Sequence, residues 1–162
     1  MEDVRIVFTA SATTFGKFIR RITRSSVSHV FLEIPIWGRR FALESTITGV
    51  RIIPAEKARK HVVAEYRIKI DTKPALLKVV NLLGSPYDWA GTFLLGLWII
   101  IKDWFKIKSK RPWFSTKTTK CSELIAIYLT FCGIKIWQTA LDFVTPDDIL
   151  KFVTVDDRFE KA

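Results

Sequence analysis

The sequence lacks several features that would place it in common classes of protein. Its first residues have neither the basic start nor the long apolar core of a secretory signal, so we expect cytoplasmic synthesis, with later release or membrane association left open. The longest apolar run, Ala90 to Ile101, has 12 residues including two glycines. A membrane-spanning helix needs about twenty. We therefore interpret this run as a buried or interfacial helix.

Cysteine and histidine are also scarce, with two of each in 162 residues. If Cys121 and Cys132 share one helix, they lie about 16 Å apart along its axis, beyond the reach of a disulfide. Two free thiols suit a reducing compartment. The four residues include no close pair of zinc ligands, so no metal and no other cofactor is predicted.

No internal repeat, low-complexity tract or linker interrupts the chain, which predicts a single domain over residues 1–162. Nearly half of the residues are hydrophobic, enough for a sizeable core, and the net charge is +10. Lysines and tryptophans are concentrated between residues 98 and 120. This segment predicts an anionic partner, either an acidic membrane surface or a phosphate-rich polymer, unless it is simply a solvated loop.

Apolar patterning predicts an α+β fold in which strands outnumber helices in the first half of the chain. Strands are predicted at Val4–Thr9, Val27–Ile34, Arg39–Ser45, Gly49–Ile53 and Val62–Ile70. Helices are predicted after Ser11, over 54–60, from Pro74 to Gly84, from Trp89, from Cys121 to Gly133, and after a Thr145–Asp148 capping box. Pro35 to Gly38 is predicted to be a four-residue hairpin loop.

Cys121 stands where a polar segment turns into an apolar helix. Leu124, Ile125 and Tyr128 follow at helical spacing, so the thiol is expected to point into the domain. With Thr118 or Thr119 as the cap, the free N–H groups and the dipole of the helix favour a thiolate. The alternative is that Cys121 is a small core hydrophobe.

A four-residue loop pairs Ile34 with Arg39 and therefore His29 with Glu44, on one sheet face with Cβ atoms about 5 Å apart. Glu33 shares that face but lies roughly 13 Å along the strand, too far to orient His29. If the cysteine helix packs on this face, the thiol gains a base and a polar third residue. Taken singly, His29 could be a satisfied core histidine and Glu44 a surface charge.

Four short motifs, in their order and spacing, resemble the circularly permuted NlpC/P60 group of papain-like proteins, which is related to lecithin:retinol acyltransferase-like proteins. They are Ser28-His29-Val30, Ala42-Leu43-Glu44-Ser45, Pro86-Tyr87-Asp88-Trp89 and Lys120-Cys121-Ser122-Glu123-Leu124-Ile125. The resemblance covers roughly Thr9 to Leu150, with an insertion near 88–119. It implies an antiparallel sheet packed against a helix with the nucleophile Cys121, His29 as the base and Glu44 as the third polar residue. By the same resemblance, Tyr87 contacts substrate or supports the site.

The resemblance predicts a thiol hydrolase that cleaves an amide or isopeptide bond through a thioacyl intermediate. The expected substrate is a cell-wall-type peptide, as for an accessory enzyme of a phage or bacterium. A lipid acyltransferase or thioesterase at a membrane surface is the alternative. A third possibility is a non-catalytic module whose basic, aromatic segment binds nucleic acid.

Overall fold

The fold is α+β and is built on one six-stranded antiparallel sheet. The computed structural model describes residues 3–86, 120–136 and 144–162. The strands are β1 (Arg5–Thr9), β2 (His29–Ile36), β3 (Arg39–Thr46), β4 (Gly49–Pro54), β5 (Val62–Ile68) and β6 (Phe159–Lys161). Their order across the sheet is β4-β3-β2-β1-β5-β6, and every neighbouring pair is antiparallel. The α+β class predicted from patterning is confirmed.

Five helices lie in the described part of the chain. They are α1 (Thr14–Thr23), α2 (Ala55–Ala58), α3 (Lys73–Val80), α4 (Cys121–Phe131) and α5 (Pro146–Val155). The predicted capping box begins α5, where the Thr145 hydroxyl accepts the Asp148 N–H at 3.2 Å and the Asp148 carboxylate accepts the Thr145 N–H at 2.9 Å. Gly133, at φ 75°, closes the turn after α4 as expected.

Strand β6 was not predicted. It has only three residues, from Phe159 to Lys161, and it pairs with β5 at one edge of the sheet. Three residues are too few to show the alternation of apolar and polar side chains that identifies a strand in a sequence. Strand β6 is therefore recognised only by its pairing with β5.

The larger core lies between one face of the sheet and helices α3, α4 and α5. Fully buried side chains from β1 and β2, such as Phe8 and Leu32, meet Leu124 and Ile125 of α4 and Ile149 of α5 there. Burial of each large apolar side chain contributes roughly 1.5–3 kcal/mol. This core therefore fixes α4, and with it Cys121, against β2 and β3.

A smaller core on the opposite face contains Val7, Phe31 and Ala42, with Ala58 at the end of α2 packed against it. His29 belongs to this side, because it alternates with Val30 and its ring lies 6.2 Å from that of Phe31. The expectation that the cysteine helix packs on the face bearing His29 is therefore wrong. The helix covers the wholly aliphatic face of β2, formed by Val30, Leu32 and Ile34.

The register of the β2–β3 hairpin also differs from the prediction. The loop has two residues, Trp37 at φ 47° and Gly38 at φ 76°, and Ile36 pairs with Arg39. Both loop residues have the positive φ of a tight primed turn, which a tryptophan rarely adopts. The predicted pairing of Ile34 with Arg39 is therefore wrong by two residues.

A shift of two residues keeps every side chain on its predicted face, because the side-chain period of a strand is two. The described pairs of this hairpin extend from Ile36 and Arg39 to Leu32 and Leu43. Continuing it places Glu44 opposite Phe31, so His29 is a diagonal neighbour of Glu44. Such a neighbour remains within reach of long side chains.

Within the described residues, no helix is both long enough and apolar enough to span a bilayer. The apolar run from Ala90 to Ile101 and the basic segment after it lie outside those residues.

Candidate active site

Cys121 is the first residue of α4 and is nearly buried, at 7% exposure. Lys120 occupies the N-cap position of the helix. Thr118 and Thr119, the predicted caps, lie outside the described residues. The Glu123 carboxylate accepts the Lys120 N–H at 3.2 Å, which satisfies one free donor of the first turn. The thiol thus sits beside the positive end of a helix that is held firmly by its apolar face.

His29 is the first residue of β2, directly opposite Thr9 of β1. At this end of the strand its side chain hydrogen-bonds Cys121, and the neighbouring Val30 N–H is also a hydrogen-bond partner of the thiol. The contact is therefore made at the end of the sheet, where the start of α4 meets the start of β2. This explains how the two residues meet although they belong to opposite faces.

Glu44 completes the arrangement from β3. Its Oε2 lies 3.0 Å from His29 Nε2, and its side chain is 5% exposed. Because Nε2 is engaged by the carboxylate, Nδ1 is the ring nitrogen left for the thiol. The structure brings together Cys121, His29 and Glu44, the three residues singled out in the sequence.

Arg51 is a member of the site that sequence reasoning missed. It stands directly opposite Glu44 in the β3–β4 pair and donates to Glu44 Oε1 from Nε at 3.0 Å and from Nη2 at 2.8 Å. The two carboxylate oxygens are thus divided between Arg51 and His29. The signal that could have identified Arg51 is the short connection Ile47–Thr48 between β3 and β4, which sets this cross-strand pair.

The titration of the site follows from these contacts. Burial alone would lower the pKa of His29, but its hydrogen bonds to Cys121 and Glu44 and the negative charge of both raise that pKa to about 10. For the Cys121 thiol, burial alone would raise the pKa. The hydrogen bond and positive charge of His29, helped by the Val30 and Ser122 N–H groups, instead lower it below its ordinary 9.0. These opposite shifts favour a thiolate–imidazolium pair.

Glu44 remains a carboxylate under the same influences. Burial would raise its pKa, but hydrogen bonds and charge from His29, and then from Arg51, hold that pKa below the ordinary 4.5. A charged carboxylate behind His29 stabilises the imidazolium form of the ring.

Cys132 provides a contrast within the same chain. It is half-buried at the end of α4, and burial raises the pKa of its thiol to about 11. A buried thiol without a cationic partner is unreactive at neutral pH. The two cysteines therefore differ because of their surroundings at opposite ends of α4.

A cavity of about 590 Å³ opens beside the three side chains. It is lined by residues from β1, from the β3–β4 hairpin and from the segment around α2, in addition to His29, Glu44 and Cys121. Its size falls within the range of small-molecule binding sites.

The same fold occurs in a protein of known structure. The match to the crystal structure of metalloprotein yiiX from Escherichia coli O157:H7, DUF1105, covers 99% of this chain and 96% of the other. The TM-score is 0.66 and the sequence identity 14%, so the likeness concerns the fold alone. No family model matches the chain, and no curated protein is significantly similar to it in sequence.

Two other parts of the predicted site lie outside the described residues, namely Tyr87 and the insertion near 88–119. The substrate-contacting role of Tyr87 and the anionic partner of the basic segment therefore stay predictions. Among the residues that the structure does describe, no three His, Cys, Asp or Glu side chains are grouped as the ligands of a metal ion would be.

Proposed function

We propose that the protein is a thiol-dependent acyl hydrolase that cleaves an amide or isopeptide bond through a thioacyl intermediate. The observation that carries this proposal is the position of His29, which is hydrogen-bonded to Cys121 on one side and to the Glu44 carboxylate on the other. A nucleophile, a base and a group that orients the base are the parts required for this chemistry.

Each side chain has a step in the proposed reaction. The Cys121 thiolate attacks the carbonyl carbon, and free N–H groups in the first turn of α4 stabilise the resulting oxyanion. The His29 imidazolium then gives its proton to the departing amine as the carbon–nitrogen bond breaks, leaving a thioester. Water attacks the thioester while His29 takes its proton, and cleavage of the carbon–sulfur bond releases the acid and restores the thiolate.

Glu44 and Arg51 act through His29 in this scheme. The carboxylate holds the ring with Nδ1 toward the thiol and stabilises its charged form, while Arg51 keeps the carboxylate ionised and in place. We assign Glu44 and Arg51 as positioning residues, because neither hydrogen-bonds the thiol in the described contacts.

The order of His29, Glu44 and Cys121 along the chain supports a permuted papain-like fold of the NlpC/P60 type. A cell-wall-type peptide is the substrate that this resemblance favours. The structural neighbour is called a metalloprotein, but the described residues of this chain do not form a group of ligands that fits a metal ion. The proposed steps accordingly use only the side chains of this chain.

A lipid-type acyl group is a second candidate substrate, with the same nucleophile. Ile47 and Ile53 line the cavity that contains Cys121, and Ile47 is 58% exposed. Apolar walls of this kind would favour an acyl chain over a polar peptide.

Alkylation by iodoacetamide tests the proposal. At neutral pH, Cys121 should react much faster than Cys132, and His29→Ala should slow the Cys121 reaction at least about tenfold because the imidazolium that stabilises the thiolate is lost. Cys132→Ser is the matched control and should leave labelling of Cys121 unchanged. Equal rates for wild type and His29→Ala would refute the catalytic pairing. Release of amine from peptides, compared with hydrolysis of acyl thioesters in vesicles, then separates the two substrate classes.

A further inference from the structure

The cavity beside Cys121 has a cationic lining. Three basic side chains contribute to it, Arg51, Lys57 and Lys60, whereas Glu44 is the sole carboxylate among the described residues that line it. Glu44 is already bonded to His29 and Arg51. The positive charges of these three side chains therefore outnumber the one negative charge of Glu44.

Lys57 and Lys60 have no ion-pair partner within the described part of the chain. The carboxylate nearest to them in sequence, Glu56, lines a different pocket beside Arg39 and Arg40. Glu33 and Glu65 both bind Arg59. Lysines on an open surface are usually solvated and need no partner. Lys57 and Lys60 are also exposed, but they line the cavity that contains the thiol.

The backbone that carries these lysines is fixed on both sides. Arg59 donates to the buried Glu33 at 2.7 Å and to Glu65 at 2.6 Å, which ties the end of α2 to the sheet. His61 adopts a left-handed φ of 58°, and its carbonyl accepts the Ala10 N–H at 2.9 Å. Lys60 is therefore held between two anchored residues, and a site built on fixed backbone loses little entropy when it binds a ligand.

We propose that Lys57 and Lys60 form an anion-binding subsite, so that the acyl substrate carries a carboxylate or phosphate group near the bond that Cys121 attacks. The inference rests on the proposed function, because it assigns a substrate class to the same thiol. It narrows both substrate candidates to anionic members: an acidic peptide on one side and an anionic acyl lipid on the other.

A matched pair of alkylating probes tests the subsite. The probes are 6-(iodoacetamido)hexanoate and its neutral primary amide, which share their reactive group and length and differ in one charge. Two lysines about 10 Å from the probe carboxylate should raise its local concentration about three- to fourfold at low salt. In wild type, the rate constant for alkylation of Cys121 by the acid should exceed that of the amide by at least this factor.

The double variant Lys57→Gln/Lys60→Gln should lose this preference, and added salt should reduce it in wild type. The charge-matched control is Lys73→Gln/Lys161→Gln, whose residues do not line the cavity, and it should keep the preference. An acid-to-amide ratio that is the same in both double variants would overturn the subsite. Slow reaction of the neutral probe with wild type would instead count against thiol activation, so the two failures are distinguishable.

Protection experiments identify the anion. Millimolar glutarate and inorganic phosphate are each added to wild type before the neutral probe. Slower alkylation with glutarate indicates a carboxylate-bearing substrate, and slower alkylation with phosphate indicates a phosphate-bearing one. Protection by neither anion would overturn the subsite.

Discussion

Replacing Glu44 with glutamine should make the Cys121 thiol less acidic. The Glu44 side chain is 5% exposed and lies 3.0 Å from His29 Nε2, so its charge acts on the imidazolium through little solvent. A hydrogen bond between charged groups contributes about 1.5–3 kcal/mol. At 1.36 kcal/mol per pKa unit, loss of this bond corresponds to a fall of about 1–2 units in the pKa of His29. Glutamine has the same shape and retains one acceptor, and Arg51, at 45% exposure, can turn to solvent.

The measurement is the rate of iodoacetamide alkylation of Cys121 as a function of pH, followed by peptide mass spectrometry. In Glu44→Gln, the neutral thiol–imidazole pair becomes more favourable relative to the thiolate–imidazolium pair, so the pH midpoint of the alkylation rate should rise. Cys132, with a pKa of about 11, is an internal reference that should react slowly in both proteins. Glu56→Gln, at an exposed position, should not move the midpoint. An unchanged midpoint in a folded Glu44→Gln protein would show that Glu44 does not support the thiolate.

Three further predictions concern stability. Glu33→Ala leaves Arg40 and Arg59 without their buried partner, so it should lower the free energy of unfolding in urea by about 2–4 kcal/mol. The exposed Glu56→Ala is the control and should lower it by less than about 0.5 kcal/mol. Equal losses in the two variants would contradict the structural role of Glu33. Gly49 has φ 100°, and a Cβ added there would lie 2.5 Å from the Ser85 carbonyl oxygen. Gly38 has φ 76°, and a Cβ there would meet nothing within 4 Å. The melting temperature of Gly49→Ala should therefore fall well below that of Gly38→Ala. Just below pH 9.0, the ordinary pKa of a thiol, the thiol–imidazole pair should add no slope to stability, because the folded and unfolded states then each bind one proton. Its contribution is lost as pH rises above 9.0 through the imidazole pKa of about 10. Urea unfolding across pH, compared between wild type and Cys121→Ala, checks this; parallel curves would refute it.

Features that depend on short-range pattern could be predicted from the sequence. Strands β1 to β5, the start of α4 at Cys121 and the Thr145–Asp148 capping box all follow from local periodicity and capping chemistry. The placement of His29 and Glu44 on one sheet face was also correct, because an error of two residues in register preserves side-chain parity.

Features that depend on distant parts of the chain could not be predicted in this way. The register was decided by the left-handed conformation of Trp37, which its residue type disfavours. The side of the sheet that α4 covers was decided by packing, since the helix lies on the face with Val30, Leu32 and Ile34 and not on the face that carries His29. Arg51 became part of the site only through its pairing across β3 and β4.

The residue types of the candidate site could therefore be identified from the sequence: a cysteine at the start of a helix, and a histidine and a glutamate on one face of adjacent strands. Only the tertiary structure decided that these groups meet at the end of the sheet, with a cavity lined by Lys57 and Lys60 beside them. The physical reason is that periodicity and capping are set by residues a few positions apart. Contacts between β2, α4 and the α2 segment depend instead on how separate elements bury their apolar faces together.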